Sequence, residues 1–508
     1  MASSTININY EQANADINSL EEVAKNADSY FGYGSTQTNS TKQIANKLGI
    51  TYYDSLQTYV KGVTDKIFNN VGIARSYIAE LQGLDDGTGG GDTPGDYGDG
   101  SDPEADEVGS VGTMQSVKDL LQKIKDLIDN GKLSTSTLDI LKNLLKALST
   151  LLDSGKLSED QIEKIVNLLT KLTDLVEKGV LSESQLVKVI NLLDKIAGLV
   201  EKEVLSADQM MKVVNLLAAI TDLVEKGVLS ADQMEKVVDL LTKITDLVEK
   251  GTLSASQMEK VVDLLTSITN LVEKGTLTAD QMEKVVDLLT SITSLVESGK
   301  LSADQMEKVV NLMTSLTSLV EQGKLSADTM ELVVDAVNLL AGLVNEGKLS
   351  ADTFESATDL LNQLTSLVDS GKLSEEEMAK ITDIIIHLSV LISFDKITED
   401  QMIIVVNILK KVTDMLDTSK LEIQDLELID NIFDNMTIML STDEILPETF
   451  NSSLSYIEKI VNDLNEEKVN LETFREGVNQ FNENLGKVKT NDLTQEQFVE
   501  MFKVEEKS

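Results

Sequence analysis

The sequence predicts an all-α protein: an N-terminal helical hairpin, then an elongated α-solenoid of about 17 single-helix repeats with neighbouring helices antiparallel. Two observations carry this prediction. A 24-residue unit recurs without insertion or deletion from Leu133 to the last unit at Leu493. Each unit also contains a helix start signal, an apolar stripe at helical spacing and a helix stop signal.

Residues 1–84 form the first predicted module. Apolar residues recur at three- and four-residue spacing from Ala13 to Phe31 and again from Tyr53 to Leu81, and a polar stretch separates the two runs. This pattern predicts two helices joined by a loop. Such a hairpin buries little apolar surface alone, so we expect a partner or the repeats to cover it.

Two segments of this module, ININ-YEQ at 6–12 and ARSYIA at 74–79, resemble the WXG100-type helical hairpins that type VII secretion systems export. The resemblance covers about the first 80 residues and implies a secretion-type hairpin. The Trp-x-Gly turn of that family is missing, because the chain has no tryptophan, and Tyr77 is followed four residues later by Leu81 instead of an acid. An ordinary helical cap or oligomerisation hairpin is the alternative.

Residues 85–108 are rich in Gly, Asp and Pro and nearly free of apolar residues, which predicts a flexible acidic linker. A calcium loop of the EF type needs acids at its first, third and fifth positions, whereas Asp96, Asp99 and Asp102 are spaced by three. The glycine run at 87–91 lacks the Gly-Lys-Ser/Thr of a phosphate-binding loop.

The unit Leu229–Thr252 illustrates the signals within each repeat. Ser230 and Gln233 form the Ser-x-x-Gln pattern of a capping box, and Gly251 stands where a left-handed residue ends a helix. One helix of about 19–20 residues per unit follows. The short connection makes neighbouring helices antiparallel.

The same unit predicts two faces. Its apolar positions cover about half of the helix circumference, which suits a helix with neighbours on both sides. Side-by-side stacking at about 9–10 Å per helix would give a body roughly 150 Å long, or a shorter one if the array curls. The polar face predicts acid-before-base pairs at i,i+4. These pairs are Asp232–Lys236, Asp239–Lys243 and Asp246–Lys250.

The repeats divide into a regular part, 109–394, and a degenerate part with a C-terminal cap, 395–508. In the degenerate part other residues replace the stop glycine, and phenylalanine replaces the methionine of the sixth position. The replacements are Asp395, Ser419, Asp443, Glu467 and Asn491 for glycine, and Phe450, Phe474 and Phe498 for methionine. Divergence at one end of an array is typical of a cap or of a region with its own partner.

Composition excludes several classes of protein. A formal net charge of −42 opposes nucleic-acid binding. The absence of cysteine excludes disulfides, thiolate metal sites and a cysteine nucleophile. The N-terminal residues show no signal peptide, and no apolar run is long enough for a transmembrane helix.

No catalytic, cofactor-binding or metal-ligating residues are predicted. His387 is the only histidine, and it has no cysteine or second histidine to complete a site. The methionine column, exemplified by Met234, accepts Ile, Leu and Phe and is interpreted as core packing. The cap serines lack a histidine partner. The columns of Asp and Glu are compatible with weak divalent-cation binding, although solubility and helix pairing explain them more simply.

The sequence therefore predicts a non-enzymatic helical-repeat scaffold or spacer that mediates protein–protein interaction. Export by a route without a signal peptide, a place in a virion and a cytoplasmic location all fit the sequence. The alternative function is a structural component of a phage virion that sets a length or decorates a particle. We expect specific binding where the repeat fails, in the hairpin and in the units beyond Phe394.

Overall fold

A computed structural model describes residues 107–504 of the chain, with side chains from residue 115 onward. The predicted hairpin of residues 1–84, its resemblance to secreted hairpins, and the linker up to residue 106 lie outside the described residues. Residues 107–504 form helices joined by short turns and contain no strand. The helices are α1 Glu107–Asp129, α2 Thr135–Asp153, α3 Glu159–Glu177, α4 Glu183–Glu201, α5 Ala207–Glu225, α6 Ala231–Glu249, α7 Ala255–Glu273, α8 Ala279–Glu297, α9 Ala303–Glu321, α10 Ala327–Glu346, α11 Ala351–Asp369, α12 Glu375–Ser393, α13 Glu399–Asp417, α14 Ile423–Ser441, α15 Pro447–Asn465, α16 Leu471–Lys489 and α17 Gln495–Met501.

The predicted start and stop signals close these helices. Before α6, the Ser230 hydroxyl accepts from the Gln233 N–H, while the Ser230 N–H donates to Gln233 Oε1 at 2.9 Å. After α6, Gly251 has φ +72° and its N–H donates to the Val248 carbonyl at 3.0 Å. The next N–H, of Thr252, donates to the Leu247 carbonyl at 2.9 Å, which completes a Schellman motif. One helix per unit is confirmed.

The degenerate units and the regular unit of α4 end their helices in the same way without glycine. Six residues at the stop position keep a left-handed conformation, with φ between 55° and 61°. They are Glu203, Asp395, Ser419, Asp443, Glu467 and Asn491. A residue with a Cβ is strained there by about 1–2 kcal/mol. Because the helix ends persist despite this strain, packing of the helices fixes the turn more strongly than the residue in it.

The helices form two layers. From α1 to α14, each helix packs more extensively against the second helix along the chain than against the next one, as α10 does against α12. Ion pairs between such helices join residues 47 or 51 positions apart, for example Lys178–Glu225 and Lys171–Asp222. This constant offset of about two units shows that the paired helices are parallel, so the helix between them is antiparallel.

Alternate helices therefore share a layer, which changes the length expected from single-file stacking. Seventeen helices in two layers make at most eight steps of about 8–10 Å, or roughly 65–80 Å, instead of about 150 Å. The wide apolar stripe of each helix packs into one core that runs between the two layers. In α6, Val238, Leu241 and Ile244 are almost completely buried, and the methionine column, here Met234, lies in the same core.

Candidate interaction surface

The polar face of the regular units is a ladder of ion pairs between parallel helices. Lys236 of α6 lies 2.6 Å from Glu283 and 2.8 Å from Asp287, both on α8. The same three-residue arrangement recurs when the lysine is Lys188, Lys212, Lys284 or Lys308.

The predicted i,i+4 pairs Asp232–Lys236, Asp239–Lys243 and Asp246–Lys250 are therefore wrong. Lys236 reaches Glu283 and Asp287, Lys243 lies 3.3 Å from the Ser294 hydroxyl, and Lys250 lies 3.1 Å from Glu297. Parallel stacking in register places acids of the next helix in the layer directly within reach of each lysine. A single-helix pattern contains no information about that neighbour.

Hydrogen bonds across the ladder keep its glutamates ionised. The ammonium of Lys236 and the amide of Gln233 lower the pKa of Glu283, and bonds to Asp287 and Glu283 raise the pKa of Lys236. Each pair is largely exposed, so its individual contribution is at most about 1 kcal/mol. The main effect of the ladder is to hold each helix in register with the second helix after it.

A second set of contacts within each layer replaces the capping box in certain units. In the units of Ser134, Ser326 and Ser350, position five is Thr instead of Gln, and a glutamate at the start of the second helix along the chain caps the helix. Glu399 of α13 accepts from the Ser350 N–H at 2.9 Å and from the Thr353 hydroxyl at 2.5 Å, both in the unit of α11. Glu183 and Glu375 cap the units of Ser134 and Ser326 equivalently.

The cap serines and the methionine column, which were considered above as candidate chemical groups, are engaged in capping and core packing. Serine caps such as Ser230 are bonded to the backbone, and the methionine column is buried. Over residues 107–504, no group of three or more His, Cys, Asp or Glu is placed to hold a metal ion. In the same range, no helix is long and apolar enough to cross a lipid bilayer. His387 lies on α12, with Nδ1 3.5 Å from Asp434 Oδ1 on α14.

The regular pattern breaks where α12 packs against α14. Position 18 of the unit is polar or glycine in every other described helix that reaches it, but it is Val390 in α12 and Ile438 in α14, both exposed. Phe394, at a position that is polar in the other described units, is 73% exposed. Leu446, in a helix-capping position, is 55% exposed. Val390 and Ile438 lie near the C-terminal ends of α12 and α14, Phe394 follows α12 directly, and Leu446 precedes α15.

The ladder register brings these apolar residues together. In the regular part, Lys195 lies 2.6 Å from Asp246, which is 51 positions later. The same offset joins exposed Leu339 of α10 to Val390, and His387 to Ile438. Apolar or neutral side chains thus replace the rungs of the ladder at this point. The register thus places an apolar strip across α10, α12 and α14, which His387 interrupts between Val390 and Ile438.

An acidic cavity of about 150 Å³ adjoins this strip between α12 and α14. Its lining residues are Lys380, Asp383, Ile384, Asp430, Asn431 and Asp434. Asp434 lies one helical turn before Ile438 along α14. We refer to this cavity together with Val390, Phe394 and Ile438 as the α12–α14 surface.

Asp430 is the most unusual residue of the α12–α14 surface. It occupies the core position that is valine or isoleucine from α3 to α10, it is 3% exposed, and neither carboxylate oxygen has a hydrogen-bond partner. Burial raises the pKa of Asp430 well above its ordinary value, and the nearby carboxylates of Glu377 and Glu427 raise it further, while Lys380 opposes the shift. Its carboxyl group is therefore neutral over a range where ordinary aspartates are ionised.

Among the described residues, Asp383 lacks a lysine partner because of the sequence of α10. In the regular ladder, Lys308 lies 2.9 Å from Asp359. Two helices before Asp383, the corresponding position is Leu332. Asp383 therefore has no lysine from the neighbouring helix of its layer at the position that serves other acids of its column, and the cavity keeps an excess of carboxylates.

The C-terminal cap closes the array by other means. Arg475 of α16 lies 2.5 Å from Asp425 and 2.8 Å from Glu422, and Asp425 is buried at the start of α14. Beyond it, the rings of Phe481 and Phe502 pack at 4.9 Å within an aromatic cluster that also contains Tyr456 and Phe498. These contacts have a packing role, because they fill the end of the core.

Comparison with protein-family models, with curated proteins and with solved structures gave no match to this chain. Sequence inspection located no site, yet two signals were readable: an acid at residue 430 in a valine column, and apolar residues at the polar positions 390, 394 and 438. Their adjacency was not readable, since it depends on the pairing of each helix with the second one along the chain.

Proposed function

We propose that this chain is a non-enzymatic helical-repeat scaffold that binds a protein partner at the α12–α14 surface, with the regular units as a rigid spacer. The observation that supports this best is that Val390 and Ile438 lie on two adjacent parallel helices, with Phe394 directly after one of them, at positions that are polar or glycine in the other units. Contiguous exposed apolar surface on an otherwise charged protein marks interaction sites.

The ladder supports the spacer role. From Lys171 to Asp359, ion pairs between neighbouring helices of one layer repeat with the same offsets, so successive helices of a layer are related by nearly the same step. A structure of this kind changes length by whole units without changing its ends. A rigid array thus holds the α12–α14 surface at a fixed distance from its N-terminal end.

The proposal is tested by capture with the full-length chain. The surface variant carries Val390→Asp, Phe394→Lys and Ile438→Ser, which are residue types that other units have at these positions. The control variant carries Val180→Thr and Val228→Thr, two exposed valines outside the surface. We expect a protein from the source cells to bind wild type and control saturably, and to bind the surface variant at least tenfold more weakly. Equal capture by all three proteins would contradict the proposal.

A further inference from the structure

We propose that the α12–α14 surface binds a basic amphipathic segment of a partner protein, with a Lys or Arg side chain in the cavity of Asp383, Asp430 and Asp434 and apolar side chains on Val390, Phe394 and Ile438. This assignment rests on the proposed function and specifies the chemistry of its partner. Basic amphipathic helices are a recurring class of peptide ligand for grooves of this type.

The unpartnered carboxylate of Asp430 supports a cationic ligand. A buried polar group without a hydrogen bond destabilises the fold by about 1–3 kcal/mol. Residues that carry such a cost are concentrated at functional sites. Asp430 lines the cavity with both oxygens unsatisfied, so an entering ammonium or guanidinium group would supply the missing donors.

The shape of the cavity favours an organic cation over a metal ion. Its volume of about 150 Å³ equals the share of roughly five water molecules in liquid water, which leaves room for the end of a long side chain. The carboxylates of Asp383, Asp430 and Asp434 do not converge as a metal-ligand group within residues 107–504. The five N–H donors of a planar guanidinium group can bond to carboxylates that are spread around the cavity in this way.

The neighbouring apolar strip specifies the rest of the ligand. Asp434 and Ile438 are four residues apart on α14, and Asp383 and Val390 are seven apart on α12, which corresponds to about 6–10 Å along a helix. A ligand helix lying along the surface would therefore place its cation four to seven residues from its apolar side chains. The net charge of −42 also attracts a basic segment and repels acidic ones.

Ligand binding should release a proton. Asp430 faces Lys380, Glu377 and Glu427, and Asp383, Asp434 and His387 lie at the cavity rim. A bound cation favours the ionised form of Asp430, so affinity increases with pH by up to about tenfold per pH unit. A purely structural role for Asp430 predicts no such slope.

The test uses the full-length chain and a phage-displayed library of random 16-residue peptides. Selected peptides are then synthesised, and their affinities are measured by fluorescence anisotropy. We expect enrichment of Lys or Arg four to seven residues from two apolar residues, with binding at least tenfold weaker to Asp430→Val and to Val390→Asp/Ile438→Ser. Asp359→Asn, in the regular ladder, is the matched control and should bind as wild type does. The pH slope should disappear in Asp430→Asn and persist in His387→Gln.

Each other outcome has a distinct meaning. Peptides that depend on Val390 and Ile438 but lack a basic residue, or that bind Asp430→Val normally, would overturn the cationic ligand and leave the proposed function standing. Absence of any peptide that depends on this surface would overturn both. Binding to phosphatidylcholine vesicles that is lost in Val390→Asp/Ile438→Ser would assign the strip to lipid and overturn the protein ligand.

Discussion

At the residue scale, Asp430 is a polar exception in an apolar column of the core. Valine or isoleucine fills its position from α3 to α10, and each of those side chains is buried in the core. The carboxyl group of Asp430 is equally buried but has no hydrogen-bond partner. Such a residue weakens local packing, and the weakness is confined to the helices that form the α12–α14 surface.

We expect Asp430→Val to stabilise α14 by about 1–3 kcal/mol near neutral pH, because the change removes an unsatisfied buried group. The pH dependence has a defined sign. The pKa of Asp430 is raised in the folded state. The neutral form is thus favoured on folding, and wild-type stability falls as pH rises from about 4 towards the folded-state pKa. Native-state hydrogen exchange of α14 amides from pH 4 to pH 7 measures the difference between the two proteins.

That difference should increase with pH and then become constant. The ladder glutamates affect both proteins equally. Their lowered pKa values stabilise the fold above about pH 4.3, and this contribution is lost as pH falls through the folded-state values. A difference that shrinks with rising pH would show that the Asp430 carboxyl group is not held neutral.

At the element scale, the residue at position five of a unit depends on the first helical residue two units later. Position five is Gln in the unit of Ser302, and the corresponding first helical residue two units later is Ala351. Position five is Thr353 in the unit of Ser350, and the residue two units later is Glu399. The cap is thus supplied either by a Gln within the unit or by a Glu from the parallel helix. From α2 to α11, a unit with Gln at position five has Ala two units later, and a unit with Thr there has Glu two units later.

We expect Glu399→Ala to destabilise the start of α11 by about 0.5–2 kcal/mol, because the Ser350 N–H and the Thr353 hydroxyl lose their acceptor. Adding Thr353→Gln should restore most of the loss by creating a capping box within the unit. Denaturant melts and hydrogen exchange of α11 measure both variants. Equal stability of the single and double variants would show that the caps of the two units are independent.

The elements also show what sequence reasoning could and could not reach. Helix number, helix ends and the buried columns were predictable, because Ser230, Gln233 and Gly251 act through local hydrogen bonds and backbone geometry. The partner of Lys236 was not predictable from its own helix, since Asp287 lies 51 residues away on a parallel neighbour. The α12–α14 surface was missed for the same reason. Its residues become adjacent only through stacking of alternate helices.

At the scale of the whole molecule, two-layer stacking determines both the length of the array and the assembly of the α12–α14 surface. If helices stacked in single file, α13 would separate α12 from α14, and His387 of α12 would not lie 3.5 Å from Asp434 of α14. The proposed ligand site therefore exists only in the two-layer arrangement. This arrangement is the central claim about the structure.

A distance between two spin labels tests that claim most directly. The chain has no cysteine, so Ser154→Cys and Ser298→Cys introduce two unique, exposed labelling sites at equivalent positions six units apart. Two layers separate these sites by three steps within one layer, or about 24–30 Å at 8–10 Å per step. We predict that pulsed electron–electron double resonance gives a distance between the two labels near that range, after correction for the length of the labels. A distance of about 50–60 Å, as six single-file steps require, would contradict the account.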